Sequence, residues 1–226
     1  MLFFLGGEFD LVQFIVFIVV AFFAFAYHEL GHALVADRLG DMTPRMHGRI
    51  TLNPFPHISW VGMIMLILIG FGWAVTPINP SSFRGNPRTS HAIVAIAGPA
   101  MNFLMAVLFA VPLRLIAALG GMGVNPLQAL PEALSRPLFL FLIIGVNLNL
   151  FLIAFNLLPI PPLDGFWILR GLLPPDMAYR LDGLQRYGML LFLLIIFILP
   201  RFNINVFVLF SDFSSRVGTL LTGLPF

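Results

Sequence analysis

Cysteine is absent from the 226 residues, and so is lysine, since all twelve basic residues are arginine. The first absence excludes disulfides and thiolate metal sites, so any bound metal must be held by nitrogen and oxygen. Charge of either sign is scarce, 10% of the chain against about 25% in a soluble domain. Apolar residues fill the space: 59% of the chain is hydrophobic, with 25 phenylalanines, and the mean hydropathy is +0.98. A water-soluble globular domain is excluded, and a lipid bilayer becomes the expected surroundings. The net charge is only +2 and the arginines are scattered, so no basic face is available and no nucleic acid is expected as a partner.

Spans need about 20 apolar residues each. Residues 11–36 meet that length, and their polar members Tyr27, His28, Glu29 and His32 lie towards one end. Further apolar segments cover 57–76, 91–119, 138–158 and 187–199, separated by polar or Gly- and Pro-rich connections. The expected fold is therefore all-α and polytopic, with about four to five transmembrane helices in one membrane-embedded domain over 1–226. Residues 201–226 read as an interfacial or weakly structured tail. Glu8 and Asp10 stand where a signal peptide would carry positive charge, which argues against a cleaved leader.

His28-Glu29-Leu30-Gly31-His32 is an H-E-x-x-H sequence. On a helix, residues four apart share a face, so both imidazoles can hold one Zn²⁺, with Glu29 beside them to take a proton from an activated water. The plain alternative is two histidines capping the end of a span. Charged groups cost about 2.5–3.5 kcal/mol each in a span, so a cluster of three such residues calls for a reason, and a metal supplies one.

A catalytic zinc takes a third protein ligand and keeps a position open. The metzincin continuation fails, because Val35 and Arg38 stand where it needs glycine and histidine. Glu132, the one later glutamate, lies in a loop without a supporting motif. His47, His57 and His91 lie in or beside loops and read as solvated or capping residues, while Asp37 and Asp41 follow the motif too closely to fold back on it. Asp176, Asp182 and Asp212 have arginine neighbours, as surface charges do. Asp164 differs: it ends Asn156-Leu157-Leu158-Pro159-Ile160-Pro161-Pro162-Leu163-Asp164-Gly165, where prolines break the helix and present it from extended chain. A helix N-cap is the competing role for it.

HELGH in a first span and N-L-L-P-I-P-P-L-D-G after a later one together resemble the site-2 protease family of intramembrane metalloproteases, over about residues 11–200. That resemblance implies one zinc per chain on His28, His32 and Asp164, Glu29 as general base, and transmembrane proteins as substrates. Gly98-Pro99-Ala100-Met101-Asn102 is similar to a third family element. By it Asn102 would donate a hydrogen bond to the developing oxyanion, and Asn156 would help hold the substrate strand. Both asparagines could equally be hydrogen-bonding glue between helices. Phe71-Gly72-Trp73-Ala74 and Pro77-Ile78-Asn79-Pro80 resemble the smaller bacterial and archaeal members, which lack PDZ and CBS domains and lie in a prokaryotic cell membrane. A non-proteolytic zinc transporter or scaffold is the rival class, although no second, inverted copy of either motif is present.

If Asp164 reaches the histidines, the segment before it must end on the side of the membrane nearest them. The segment over 91–119 must then run away from that side, so residues 57–76 must enter and leave on one side as a re-entrant hairpin. Under this arrangement the metal side carries Arg38, Arg45, Arg49, Arg84, Arg88, Arg170, Arg180 and Arg186, against four arginines opposite. The positive-inside rule makes the metal side cytoplasmic and the N-terminus external.

Overall fold

The computed structural model describes residues 10–226; Glu8, half of the argument against a leader, lies outside them. The described chain is helical without strands, in the order α1 (Leu11–Arg38), α2 (Thr43–Met46), α3 (Trp60–Ile69), α4 (Pro87–Gly121), α5 (Glu132–Asn156), α6 (Asp164–Leu172), α7 (Pro175–Asp182), α8 (Gly188–Leu193) and α9 (Val206–Thr222). Four helical runs are long and apolar enough to cross a membrane: Leu11–Arg38, Pro87–Gly121, Glu132–Asn156 and Pro175–Phe202.

Capping fixes where the long helices begin. Asp10 accepts from the amides of Val12 and Gln13 ahead of α1, and Asn86 accepts from Arg88 ahead of α4, satisfying donors that a helix start leaves free. The helices α1, α4 and α5 form the central bundle. Its contacts are sealed by small residues on α1 (Ala21, Ala24, Ala33, Ala36) and by Ala106, Ala110, Val146 and Leu150 between α4 and α5, all at most 3% exposed. In lipid, apolar burial alone gives helices little reason to associate, so this close packing and the interhelical hydrogen bonds carry the assembly.

Segment 57–76 is a hairpin, the form expected of it if Asp164 reaches the histidines. Its α3 has ten residues, about 15 Å, half the thickness of the hydrocarbon core. Gly70 ends it in the left-handed conformation (φ 75°), and residues 71–78 return as irregular chain without helix. The return lies so close to α3 that a Cβ on Gly62 would overlap the Trp73 carbonyl. Both mouths of the excursion meet: Arg84 N–H donates to Leu39 O at 2.7 Å, and Asn79 N–H to Asp41 Oδ2 at 2.7 Å. The buried Asp41 also accepts from Thr43 N–H at 2.9 Å, so one carboxylate ties the two ends together. Arg49 adds a clamp, donating to Val75 O at 2.7 Å.

Two expectations are corrected. Residues 206–222, expected within an interfacial or weakly structured tail, are a regular helix with Asn205 as its cap, so weak structure is the part that fails. Its residues Val217 and Leu221, with Leu224 and Phe226 after it, fill the cluster around Phe109, Leu113 and Leu142. The fourth helix of the sequence reading begins earlier than expected, at Glu132, and takes Pro137 into its first turns.

Candidate metal centre

His28 and His32 leave α1 one turn apart, with ring centroids 4.7 Å apart. Each ring is oriented from behind. His28 Nδ1 stands 2.5 Å from Asn102 Oδ1, and His32 Nδ1 stands 2.8 Å from the Val94 carbonyl. Both partners are acceptors, so each Nδ1 carries the proton and each Nε2 presents a lone pair. The two Nε2 atoms face each other at 3.0 Å. Asp164, first residue of α6, closes the third corner: its Oδ2 is 3.2 Å from His28 Nε2 and its Oδ1 is 3.4 Å from His32 Nε2.

Two lone pairs and a carboxylate have no proton to share at these separations, and Asp164 Oδ2 is buried without a hydrogen bond. A cation resolves the conflict. Zinc ligand distances of about 2.0–2.1 Å in a tetrahedron put neighbouring donors about 3.3 Å apart, close to the three separations found. The donor set of two imidazoles and one carboxylate suits zinc, and the anchored Nδ1 atoms are the outer support such ligands need. The motif glutamate completes the group: His28, Glu29 and His32 bring one ligand atom each within 4.8 Å of one another.

Glu29 is buried, and among the described residues no hydrogen bond reaches its carboxylate. It faces a cavity of about 220 Å³ lined also by His32, Asp164, Thr76, His91 and Trp167. The hydroxyl of Thr76 donates to the Glu29 carbonyl at 3.1 Å, pinning the hairpin's return to α1 beside the site.

Several roles differ from those read in the sequence. Asn102 sits behind His28, fully buried, with its Nδ2 donating to Asn149 Oδ1 at 2.8 Å and Ala24 O at 3.3 Å. With both ends of its amide committed, it has no donor left for an oxyanion. Asn156 donates to Leu152 O at 2.9 Å within its own helix and does not line the cavity. His91 is on α4, stacked on Trp167 at 4.0 Å on the cavity wall, and His57 is buried, with its Nε2 donating to the Thr51 carbonyl at 3.0 Å. Gly98 entered the sequence reading only as part of a family element, with no role of its own, and Asn149 was not singled out. A Cβ on Gly98 would stand 2.5 Å from His32 Cε1 and 2.6 Å from His28 Cε1, so its bare backbone makes room for both rings. Asn149, a polar residue in the middle of an apolar span, carried its own signal, because such a residue needs a partner there.

The model of peptidase family M50 matches residues 16–198, and the chain belongs to that family, the site-2 proteases. It is a metalloprotease. YwhC of Bacillus subtilis is 37% identical over 184 residues, covering 81% of this chain and 80% of its own. Rip2 of Mycobacterium tuberculosis is 31% identical, covering 78% of this chain and 64% of its own length. MJ0611 of Methanocaldococcus jannaschii is 27% identical over 83% of this chain and 84% of its own. All three bear zinc metalloprotease names. No solved structure matches the chain at the same stringency.

Proposed function

We propose that this protein is a zinc endopeptidase that cleaves transmembrane proteins within the bilayer. The observation that carries the reading is the approach of Asp164 to both imidazole Nε2 atoms, at 3.2 and 3.4 Å, between helices of spanning length. His28, His32 and Asp164 would hold the zinc, which would supply Lewis-acid activation of a water and of the scissile carbonyl. Glu29 takes the proton of the attacking water and delivers it to the leaving amine; its buried, uncommitted carboxylate on the cavity wall suits both transfers. Asn102 and Val94 hold the ligand rings with Nε2 forward.

A substrate helix hides its carbonyls in hydrogen bonds and must unwind to be cut. The returning limb of the hairpin gives the unwound segment a partner. Among the described residues, no main-chain to main-chain hydrogen bond engages 71–78, and Ala74, Val75 and Thr76 border the cavity. An extended substrate can therefore add along that edge. The excess of arginines on the metal side supports a reading in which that side faces the cytoplasm of a prokaryotic cell and the N-terminus lies outside.

The test is Glu29→Gln. Cleavage of a membrane-anchored substrate should fall by about 10²–10⁴-fold or more while zinc stays at one per chain. In cells, a membrane protein that accumulates uncut with this variant identifies the substrate. Loss of zinc together with activity, or a zinc-loaded wild type under which no membrane protein is processed, would overturn the reading.

A further inference from the structure

The last helix presents charge to the lipid. Helix α9 lies antiparallel to α5: Phe210 packs edge-on to Phe155 at 6.0 Å and Phe151 at 5.6 Å, and one turn on Ser214 Oγ donates to Asn147 Oδ1 at 2.6 Å. Further along, Gly223 lies against Arg114 near the far end of α4. Asn147 is nine residues from the end of α5 at Asn156, about 13 Å along a helix. Asp212 and Arg216, which flank Ser214 by two residues on either side, therefore sit well inside the apolar layer.

The face of α9 turned to the bundle holds Phe210, Ser214 and Gly218, all buried. On the opposite face, at 100° per residue, Asp212, Ser215, Arg216 and Thr219 fall within an arc of about 100°. Asp212, Arg216 and Thr219 are exposed, and among the described residues neither charge has an ion-pair partner. Charges at such depth face a partner or a water-filled space rather than lipid.

We propose that this stripe is the contact between two copies of the chain, joined by reciprocal Asp212–Arg216 pairs inside the membrane. The charge pattern is self-complementary. Two copies in one bilayer point the same way, so a two-fold axis along the membrane normal brings the stripes face to face in an isologous contact. Helical side chains lean towards their own N-terminus, which carries each Arg216 back to the level of Asp212 in the other copy. Ser215 and Thr219 are small enough to let the helices close and can bond across them.

The absence of cysteine makes the test clean. Ser215→Cys or Thr219→Cys in the full chain would be its only thiol, and a disulfide forms where two Cα atoms lie about 4.4–6.8 Å apart. In native membranes, oxidation should give a covalent dimer of either variant but not of Leu108→Cys, a lipid-facing position on α4 that is 63% exposed. In the Thr219→Cys background, Asp212→Arg and Arg216→Asp should each lower dimer yield by at least about tenfold, and the double exchange should restore it. The proposal falls if Thr219→Cys crosslinks no better than Leu108→Cys, if its crosslinked partner is a different protein, or if the double exchange fails to rescue.

Discussion

The side-chain oxygen of Asn102 stands 2.5 Å from His28 Nδ1, on the side of the ring away from Asp164. This fixes the tautomer that turns the Nε2 lone pair towards the metal. Replacing Asn102 with Ala removes the acceptor and leaves a buried N–H unpaired behind the ligand. Zinc affinity should then fall about 10–100-fold, as it does when outer partners of ligating histidines are lost. Competition with a chelator measures it. An oxyanion role would instead lower turnover with zinc affinity unchanged, and that result would return Asn102 to the reaction itself.

Gly98 offers a sharper steric test. Its missing side chain leaves room for His28 Cε1 and His32 Cε1, so Gly98→Ala forces both rings out of line at once. We expect at least about a tenfold loss of zinc affinity. Helix α4 itself should hold, since alanine is the better helix former. Circular dichroism and zinc stoichiometry on the same sample separate the two effects. Retained zinc would mean that α1 and α4 shift apart at little cost.

The meeting of His28, His32 and Asp164 was legible because its signals are local or scarce. Two histidines at i and i+4 share a face in any helix, and Asp164 stood out among ten acidic residues by its run of prolines. The role of Asn102 was not legible, because which way its amide points depends on how α4 rotates against α1, a contact set by the glycine at 98. For α9, Asp212 and Arg216 suggested surface chain, yet Phe210, Ser214, Gly218 and Thr222 recur every fourth residue and mark a buried face. The spacing was present, but the charges beside it masked it. The hairpin was inferred correctly from the ligand geometry, whereas its glycines serve two different ends: Gly70 turns the chain and Gly62 admits the returning limb.

The hydrogen bond from Arg84 N–H to Leu39 O requires residues 39 and 84 to lie on one side of the membrane. Thr51→Cys and Ser81→Cys, each the sole thiol, should react with an impermeant maleimide from the same side, and Gly123→Cys from the other. Labelling of Thr51→Cys and Ser81→Cys from opposite sides would mean that 57–76 crosses completely.

His57 gives a pH dependence outside the metal ligands. Its Nε2 faces the Thr51 carbonyl at 3.0 Å, so Nε2 carries the proton, while Nδ1 is buried without a partner. Burial pushes its pKa below the ordinary value of 6.5, and the nearby Arg49 pushes the same way. The ring is thus neutral in the folded protein and takes up a proton more readily once unfolded. Stability from this group is fully present above pH 6.5 and is lost as pH falls below it. The thermal unfolding midpoint should drop between about pH 7 and 5, and His57→Gln, which cannot charge, should drop less. The comparison is the difference between the two proteins over that range, which cancels every pH effect they share. Parallel pH curves would show that the His57 ring finds a counter-charge or water when it is protonated, and that the hairpin mouth is not held by a neutral histidine.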